Sequence, residues 1–277
     1  MFVPRTLHLA FSALLLAVPT VAAHAEPIAV LRAQGATRGF LVLRSESGAN
    51  LGYGEVTQVA HGDRVTSRMT FHFRDGSLDD ETATFTQRGV FQLLSDHHIQ
   101  RGPFFAKPID MLVLANGTIT NRSVDKDGTQ KIETSHIDLP PDTANGMIAA
   151  LLINLRPDVT AFKLPLVAAS GKGRLIQLAV TPDGTASFSC VAGVRRKATI
   201  LRIKPELGGL TGIVAPMIGK QPADIFVWVL QGEVPAIVRE VGQLSEGGPI
   251  VSIELAGTAF PRDQNGVEQA RATPPPR

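Results

Sequence analysis

Residues 68–81 read RMTFHFRDGSLDDE, and this stretch decides the fold class. Met69, Phe71 and Phe73 fall on one face of an extended chain, and the residues between them, which are polar, fall on the other. The Asp75-Gly76 pair that follows is typical of a tight turn, because both residues tolerate positive φ. The stretch therefore predicts two antiparallel strands joined by a short turn, with one apolar face.

The same punctuation recurs along the chain. Further turn signals are Ser47-Gly48, His61-Gly62-Asp63, Asn116-Gly117, Asp127-Gly128 and Asp183-Gly184. Consecutive hairpins predict a mainly β protein, with a strongly curved antiparallel meander sheet or an incomplete barrel. In the second half we expect strands at residues 162–168, 175–181, 186–191, 198–204, 224–230, 236–241 and 250–255.

Residues 143–155 (TANGMIAALLINL) break the alternation, since their apolar residues recur at helical spacing. Asp142 or Thr143 can accept the free N–H groups of a first turn, and Pro157 prevents continuation. We expect one helix of about three turns here. It should lie against the concave face of the sheet, because an apolar concave face must be buried against something.

The N-terminus has the features of a secretory signal peptide. Arg5 precedes an apolar run at residues 9–18, and Ala23-His24-Ala25 supplies a small-x-small cleavage site. The run has 10 residues, whereas a spanning helix needs about 17 to 25. We therefore expect cleavage after Ala25, a periplasmic or secreted product, and no transmembrane segment after cleavage.

Removal of residues 1–25 leaves 252 residues with 26 Lys and Arg against 25 Asp and Glu. This even balance argues against a nucleic-acid partner, which needs concentrated positive charge. Cys190 is the only cysteine, so an intramolecular disulfide is excluded. We expect a single β-rich domain at residues 26–261 and a disordered C-terminal tail at 262–277, which ends in Thr-Pro-Pro-Pro-Arg.

Chemically capable side chains are densest in Asp79-Asp80-Glu81 and Ser95-Asp96-His97-His98. A hairpin turn near Arg88-Gly89 would place the three acids opposite Ile99, His98 and Asp96 or their neighbours. The residues proposed for a functional site are Asp80, Asp96, His97 and His98.

Two interpretations of this cluster stay open. One is a small metal site or an acid/base pair, formed by His98 with Asp96 and Asp80 on one face, or by His97 with an acid across the ladder. The other is a polar strand pair whose side chains satisfy one another. We find no Gly-x-Ser-x-Gly, Walker A, His-Glu-x-x-His or Rossmann motif, which lowers the expectation of an enzyme.

The aromatic content favours an apolar ligand over a carbohydrate. The chain has 13 Phe but one Trp and one Tyr, and sugars are usually held by Trp and Tyr rings, which stack and hydrogen-bond. The helix, the apolar loop at residues 207–219 and the Phe pair after the double histidine could line a cavity in a curved sheet. The predicted lining residues are Phe104, Phe105, Met147, Leu151, Ile213, Met217 and Ile218.

Residues 71–81, 85–89, 95–103 and 219–222 together resemble a family of exported bacterial proteins of unknown function. The strand-and-helix layout is also similar to the half-barrels of periplasmic lipoprotein carriers and related lipid-binding domains. That second resemblance is architectural, and it implies a hydrophobic small molecule or lipid as partner.

We therefore expect a non-catalytic binding or carrier protein for an apolar, lipid-like ligand, without cofactor or metal. The alternatives are a hydrolase or metal-dependent enzyme centred on Asp80, Asp96, His97 and His98, and a structural protein of the cell envelope.

Overall fold

The computed structural model describes residues 27–125, 127–156, 158, 160–169, 173–190, 193–207 and 222–258. The predicted signal peptide and tail lie outside the described residues. The described part has one helix, α1 (Ile148–Ile153), and fourteen strands. The strands are β1 (Thr37–Ser45), β2 (Asn50–His61), β3 (Arg64–Phe73), β4 (Leu78–Arg88), β5 (Val90–Arg101), β6 (Ile109–Leu114), β7 (Thr118–Val124), β8 (Gln130–His136), β9 (Phe162–Ala168), β10 (Arg174–Ser189), β11 (Arg195–Glu206), β12 (Ile225–Leu230), β13 (Ala236–Gln243) and β14 (Ile250–Leu255).

All fourteen strands belong to one antiparallel sheet that is not closed. Its order is β8-β7-β6-β5-β4-β3-β2-β1-β14-β13-β12-β11-β10-β9, so two meanders meet where β1 pairs with β14. Strands β8 and β9 are the two edges. The predicted mainly β fold with an incomplete barrel is confirmed. No helix in the described ranges is long and apolar enough to cross a membrane.

The β3–β4 hairpin follows the predicted alternation. Phe71 and Phe73 are buried, whereas the intervening His72 is exposed. Gly76 has φ 87°, and its N–H donates to the carbonyl of Phe73 at 3.1 Å. The turn thus uses the one residue type that adopts this backbone conformation without strain.

The predicted turn at Asp183-Gly184 is wrong. These residues lie inside β10, which continues from Arg174 to Ser189 as one strand. Its pairing with β11 shifts register between Pro182 and Thr185. Gly184, which has φ 104°, therefore lies at an irregularity in the ladder and not in a hairpin turn.

The helix is shorter than the predicted 143–155, because the residues before it dock onto β9. Ala144 N–H donates to the Pro165 carbonyl at 2.8 Å, and Gly146 has φ 61°, which a right-handed helix does not allow. The helix begins after Met147 without a side-chain cap. The hydroxyl of Thr143 donates to the Pro140 carbonyl (2.7 Å) and caps nothing.

The sheet is curved so strongly that its two ends share one core. The largest apolar cluster joins α1 to inward-facing residues of both meanders, among them Phe85, Val113, Val180 and Val227. A Cβ atom on Gly173 would lie 2.5 Å from Cδ1 of Ile119 on β7, so the β9–β10 connection lies against the opposite end of the sheet. We call the face of the sheet that packs against α1 the inner face.

A second apolar cluster fills the opposite end of the interior and includes Leu43, Phe71, Phe73 and Phe105. The ring of Phe73 lies 4.5 Å from that of Phe104 and 5.4 Å from that of Phe105, measured between centroids. The connection between β5 and β6 therefore packs its two phenyl rings over this end of the sheet.

Candidate functional site

Strands β4 and β5 carry the polar residues that the sequence singles out, and their register decides which side chains meet. Glu81 lies opposite His98, Asp79 opposite Gln100, and Asp80 opposite Ile99. The predicted register was displaced, in part because the ladder has an irregularity at Thr84/Phe85 that places an additional β5 residue between paired positions. Since neighbours on a strand point to opposite faces, Asp79 and Glu81 face inward and Asp80 faces outward.

On the inner face, Asp79 and His98 form a close pair. Nε2 of His98 lies 2.7 Å from Oδ1 of Asp79. The side-chain amide of Gln100 donates to Oδ2 of Asp79 at 3.0 Å and to the Leu244 carbonyl at 2.8 Å. Burial opposes the charge on His98, but the hydrogen bond to Asp79 and the charges of Glu81, Asp79 and Asp96 outweigh it and raise the pKa of the imidazole to about 9. At neutral pH His98 is therefore an imidazolium, held against Asp79.

Three more inner-face carboxyl groups surround this pair. Burial and the charges of Glu81 and Asp79 raise the pKa of Glu240, on β13, to about 7. Burial also raises the pKa of Glu81, against the attraction of His98. Burial and the charge of Glu81 raise the pKa of Asp96 well above its ordinary value. Strands from both meanders thus contribute to one interior cluster, which we call the inner acidic cluster: Asp79, Glu81, Asp96 and Glu240, with His98.

Two buried oxygen atoms, one in this cluster and one beside it, have no hydrogen-bond partner among the described residues. Asp96 is 1% exposed and Gln100 is 0% exposed. Oδ2 of Asp96 accepts a long hydrogen bond from Asn145 at 3.4 Å. Oδ1 of Asp96 and Oε1 of Gln100 have no hydrogen-bond partner in the described part of the chain. Unpaired buried acceptors are rare in folded proteins, because each costs free energy.

The outer face holds the rest of the predicted site. Asp80 accepts two hydrogen bonds from Arg68 (2.8 and 2.7 Å) and one from Thr70 (3.0 Å). The bond from Arg68 lowers the pKa of Asp80. His97 meets Asp110 across the β5–β6 ladder, with 2.8 Å between Nε2 and Oδ1. These two pairs, Asp80 with Arg68 and His97 with Asp110, resemble the ion pairs of an ordinary solvated surface.

The proposed set of Asp80, Asp96, His97 and His98 is therefore divided by the sheet. The predicted grouping of His98 with Asp96 on one face is correct, but Asp80 lies on the other face and Asp79 takes its place beside His98. The second predicted pairing, His97 with an acid across the β4–β5 ladder, is not formed, since Thr82 lies opposite His97 there. His97 instead pairs with Asp110 across the β5–β6 ladder. No three His, Cys, Asp or Glu side chains among the described residues are arranged to hold a metal ion.

The predicted ligand-lining residues lie in the two apolar clusters. Met147 is 1% and Leu151 2% exposed, in the cluster that contains α1. Phe105 is 5% exposed in the second cluster, with the partly buried Phe104 packed against it. Ile213, Met217 and Ile218 lie outside the described residues. The four that the structure describes, Phe104, Phe105, Met147 and Leu151, pack into the two apolar clusters at the ends of the interior.

Between the two clusters, one row of inward-facing residues stays accessible. Val56, Met69, Glu81 and His98 pair in sequence across β2, β3, β4 and β5. All four are only partly buried, and the His98 side chain keeps 21% of its surface. The neighbouring inward-facing pairs of β4 and β5 are buried on both sides of this row. They are Asp79 with Gln100 and Ala83 with Asp96. We call Val56, Met69, Glu81 and His98 the accessible row.

A separate groove of about 350 Å³ lies on the outer face, over β1, β2 and β3. Its lining includes Phe40 and Tyr53, each 59% exposed, with Arg68 and His72. It is not the interior cavity that the sequence predicts.

Sequence reasoning missed Glu240 and Gln100 and assigned no role to Asp79. A signal for Asp79 existed, because Asp79, Glu81, Ala83 and Phe85 alternate onto one face and Phe85 belongs inside. Glu240 had no comparable signal. The β12–β13 ladder shifts register between Trp228 and Val229, so simple alternation along β13 does not predict which of its side chains face inward.

No protein-family model matches the chain, and the search of curated proteins also found no match. The predicted resemblance to an exported bacterial family stays a prediction.

Proposed function

We propose that this protein is an exported, non-catalytic binding or carrier protein that holds an apolar, lipid-like ligand in the concave interior of its sheet. Export rests on the signal-peptide features of residues 1–25.

The observation that carries the proposal is the accessible row. A packed protein interior leaves few voids larger than a water molecule. Here, four consecutive inward positions between two closed apolar clusters keep accessible surface. Curved sheets that bind small molecules hold them in such an interior space.

The chemistry of the surrounding residues favours a molecule with an apolar body. Val56 and Met69 form one half of the accessible row and pack against the cluster of Phe71 and Phe73. The rings of Phe104 and Phe105 lie beyond them. Contact with such side chains favours a ligand by removing apolar surface from water.

Native mass spectrometry of the gently purified protein, followed by displacement of a fluorescent fatty acid, tests the proposal. Met69→Trp places a large ring in the accessible row and should weaken binding of the probe at least about tenfold. Val59→Trp is the matched control on β2, since Val59 is 45% exposed and should leave binding unchanged. Unchanged circular dichroism would show that both variants fold. A protein that carries no apolar molecule and binds no probe would contradict the proposal.

A second candidate is an enzyme that uses His98 and Asp79 for acid–base chemistry. It is favoured by one observation, a partly accessible imidazole with a raised pKa beside acids whose pKa values are also shifted. His98→Gln should then abolish any esterase or phosphatase activity found in a screen of the purified protein. Activity that persists in this variant would exclude the candidate.

A further inference from the structure

The groove on the outer face combines two exposed aromatic rings with polar side chains. Its volume of about 350 Å³ is within the range of small-molecule sites. Phe40 and Tyr53 are each 59% exposed in it. Phe40 lies opposite Glu55 in the β1–β2 ladder, and Tyr53 lies two residues from Glu55 on the same strand, so the two rings are diagonal neighbours. A continuous aromatic surface is therefore open to solvent at one concave place.

The two sides of this groove differ in chemistry. The aromatic rings project from β1 and β2, whereas β3 supplies Arg68, Thr70 and His72. Tyr53 lies directly opposite His72 in the β2–β3 ladder. A ligand in the groove therefore meets ring faces on one side and hydrogen-bonding groups on the other.

Contacts within the outer face hold these side chains in place. Arg68 donates to Asp80 through Nε and Nη2, at 2.8 and 2.7 Å. Arg38 donates to Glu55 at 2.9 Å, and its guanidinium carbon also lies over the ring of Phe40, 5.4 Å from the centroid. Side chains that are ordered before binding lose less conformational entropy when a ligand contacts them.

The same contacts determine what the groove can bind. Glu55 and Arg68 line it, and each already has a partner of opposite charge, which disfavours an ionic ligand. Hydrogen-bonding capacity remains, because a guanidinium has more N–H groups than the two that Asp80 accepts. A carboxylate likewise has more acceptor sites than the one that Arg38 uses. The groove therefore suits a neutral ligand that both donates and accepts.

We propose that this groove binds a neutral glycan, with a pyranose ring stacked on Tyr53 and hydroxyl groups bonded to Glu55 and Arg68. A pyranose has an apolar C–H face and a rim of hydroxyl groups, and each hydroxyl donates and accepts. Tyrosine suits such a ligand, since its ring stacks and its hydroxyl hydrogen-bonds. The low Trp and Tyr content argues against a sugar in the interior, but the one tyrosine of the chain lies in this outer groove. The site is separate from the proposed lipid site and does not rest on it.

The single tyrosine and the single tryptophan allow a specific test. In protein with isotope-labelled tyrosine and tryptophan rings, NMR observes Tyr53 in the groove and Trp228, which is 7% exposed on β12, away from it. The probes are cellotetraose and N-acetylchitotetraose, added to the whole protein. At least one of them should shift the Tyr53 signals saturably and leave the Trp228 signals in place.

Phe40→Ala should weaken the binding measured from the Tyr53 shift at least about fivefold, because it removes one of the two ring contacts. Val59→Ala is the matched control and should leave the binding unchanged. Val59 is on the same face of β2 as Tyr53 and is 45% exposed, but it lies outside the groove. Circular dichroism of both variants checks that they fold.

The results that would overturn the proposal differ from one another. Tyr53 signals that neither glycan moves would overturn it, and so would equal shifts of Tyr53 and Trp228, which indicate non-specific contact. Equal effects of Phe40→Ala and Val59→Ala would place the binding elsewhere. A Tyr53 shift with inorganic phosphate or 1-dodecanol but not with the glycans would assign the groove to an ionic or apolar ligand. A shift that follows protein concentration alone would assign this face to a second copy of the chain.

Discussion

Nε2 of His98 lies 2.7 Å from Oδ1 of Asp79, diagonally across the ladder between β4 and β5. This contact places an ion pair inside the curved sheet, where Asp79 is 6% exposed. The pair is not isolated, because Glu81 lies opposite His98 and Asp96 lies two residues before it. The charge of one imidazole therefore acts on several carboxyl groups at once, and the following predictions separate their contributions.

Asp79→Asn should lower the pKa of His98 from about 9 toward the ordinary histidine value. The substitution removes the negative charge that favours the imidazolium and leaves only a neutral amide oxygen to accept its hydrogen bond, while the burial that opposes it remains. NMR titration of the His98 ring measures the change. Asp80→Asn, one residue along the strand on the outer face, is the control and should leave the pKa of His98 near 9. Equal effects of the two substitutions would show that the ion pair is not specific to Asp79.

Glu240→Gln should reduce the loss of stability that accompanies rising pH. The folded-state pKa of Glu240 is about 7, above the ordinary value of 4.5, so its protonated form is favoured by folding. Its contribution to stability is full below pH 4.5 and is lost as the pH rises through about 7. A shift of this size corresponds to about 3 kcal/mol. The glutamine variant should thus gain stability relative to the native protein on going from pH 5 to pH 8.

Urea unfolding at pH 5 and pH 8 measures this gain. Comparison at each pH isolates Glu240, because Glu81, Asp96 and His98, whose pKa values are also raised, are present in both proteins. His98, with its raised pKa, contributes stability below about pH 6.5 that is lost toward pH 9 in both. Glu233→Gln, at an exposed position, should have no effect on the pH dependence. A native protein and a Glu240→Gln variant with parallel pH profiles would contradict the raised pKa.

The fold class could be predicted because local signals in the sequence act at short range. Alternation at Met69, Phe71 and Phe73 and the turn at Gly76 specify a hairpin without reference to the rest of the chain. The same local rule failed at Gly184, where a turn signal lies inside a long strand. Pairing with β11 from Gln177 to Ser189 overrides the local preference there, and a ladder irregularity accommodates the glycine.

The site could be predicted only in part, because it depends on contacts between distant strands. The sequence placed His98 and Asp96 on one face correctly, as period-2 alternation requires. It placed Asp80 with them because the register was displaced. Glu240 is more than 140 residues from His98 along the chain, and the β1–β14 pairing that brings the two meanders together has no local signature. Long-range pairing, and not local propensity, therefore assembles the inner acidic cluster.

Asn145→Ala should destabilise the protein by about 2 to 4 kcal/mol. The Asn145 side chain accepts from the Val167 N–H at 2.8 Å and donates to the Val167 carbonyl at 3.0 Å. Both groups are buried on β9, so the substitution leaves an unsatisfied donor and acceptor and frees the segment that leads into α1. Chemical denaturation measures the loss. Asn116→Ala removes an exposed turn contact to Thr118 (3.0 Å) and should cost less than about 1 kcal/mol. Similar losses for the two variants would show that Asn145 does not hold the segment before α1 against β9.

Gly146→Ala should be more harmful than an ordinary substitution at a left-handed glycine. Gly146 has φ 61°, and a Cβ atom there would lie 2.4 Å from Cβ of Ala83 and 2.8 Å from Oδ1 of Asp96. Backbone strain alone costs about 1 to 2 kcal/mol. The clash adds to it and pushes the α1 segment away from β4 and β5. Gly48→Ala supplies the comparison, since Gly48 has φ 84° and nothing within 4 Å of the added atom. We expect the midpoint of thermal unfolding to fall further for Gly146→Ala than for Gly48→Ala, and the pKa of His98 to change only in the former. If the two variants unfold at the same temperature, Gly146 does not hold α1 against the inner acidic cluster.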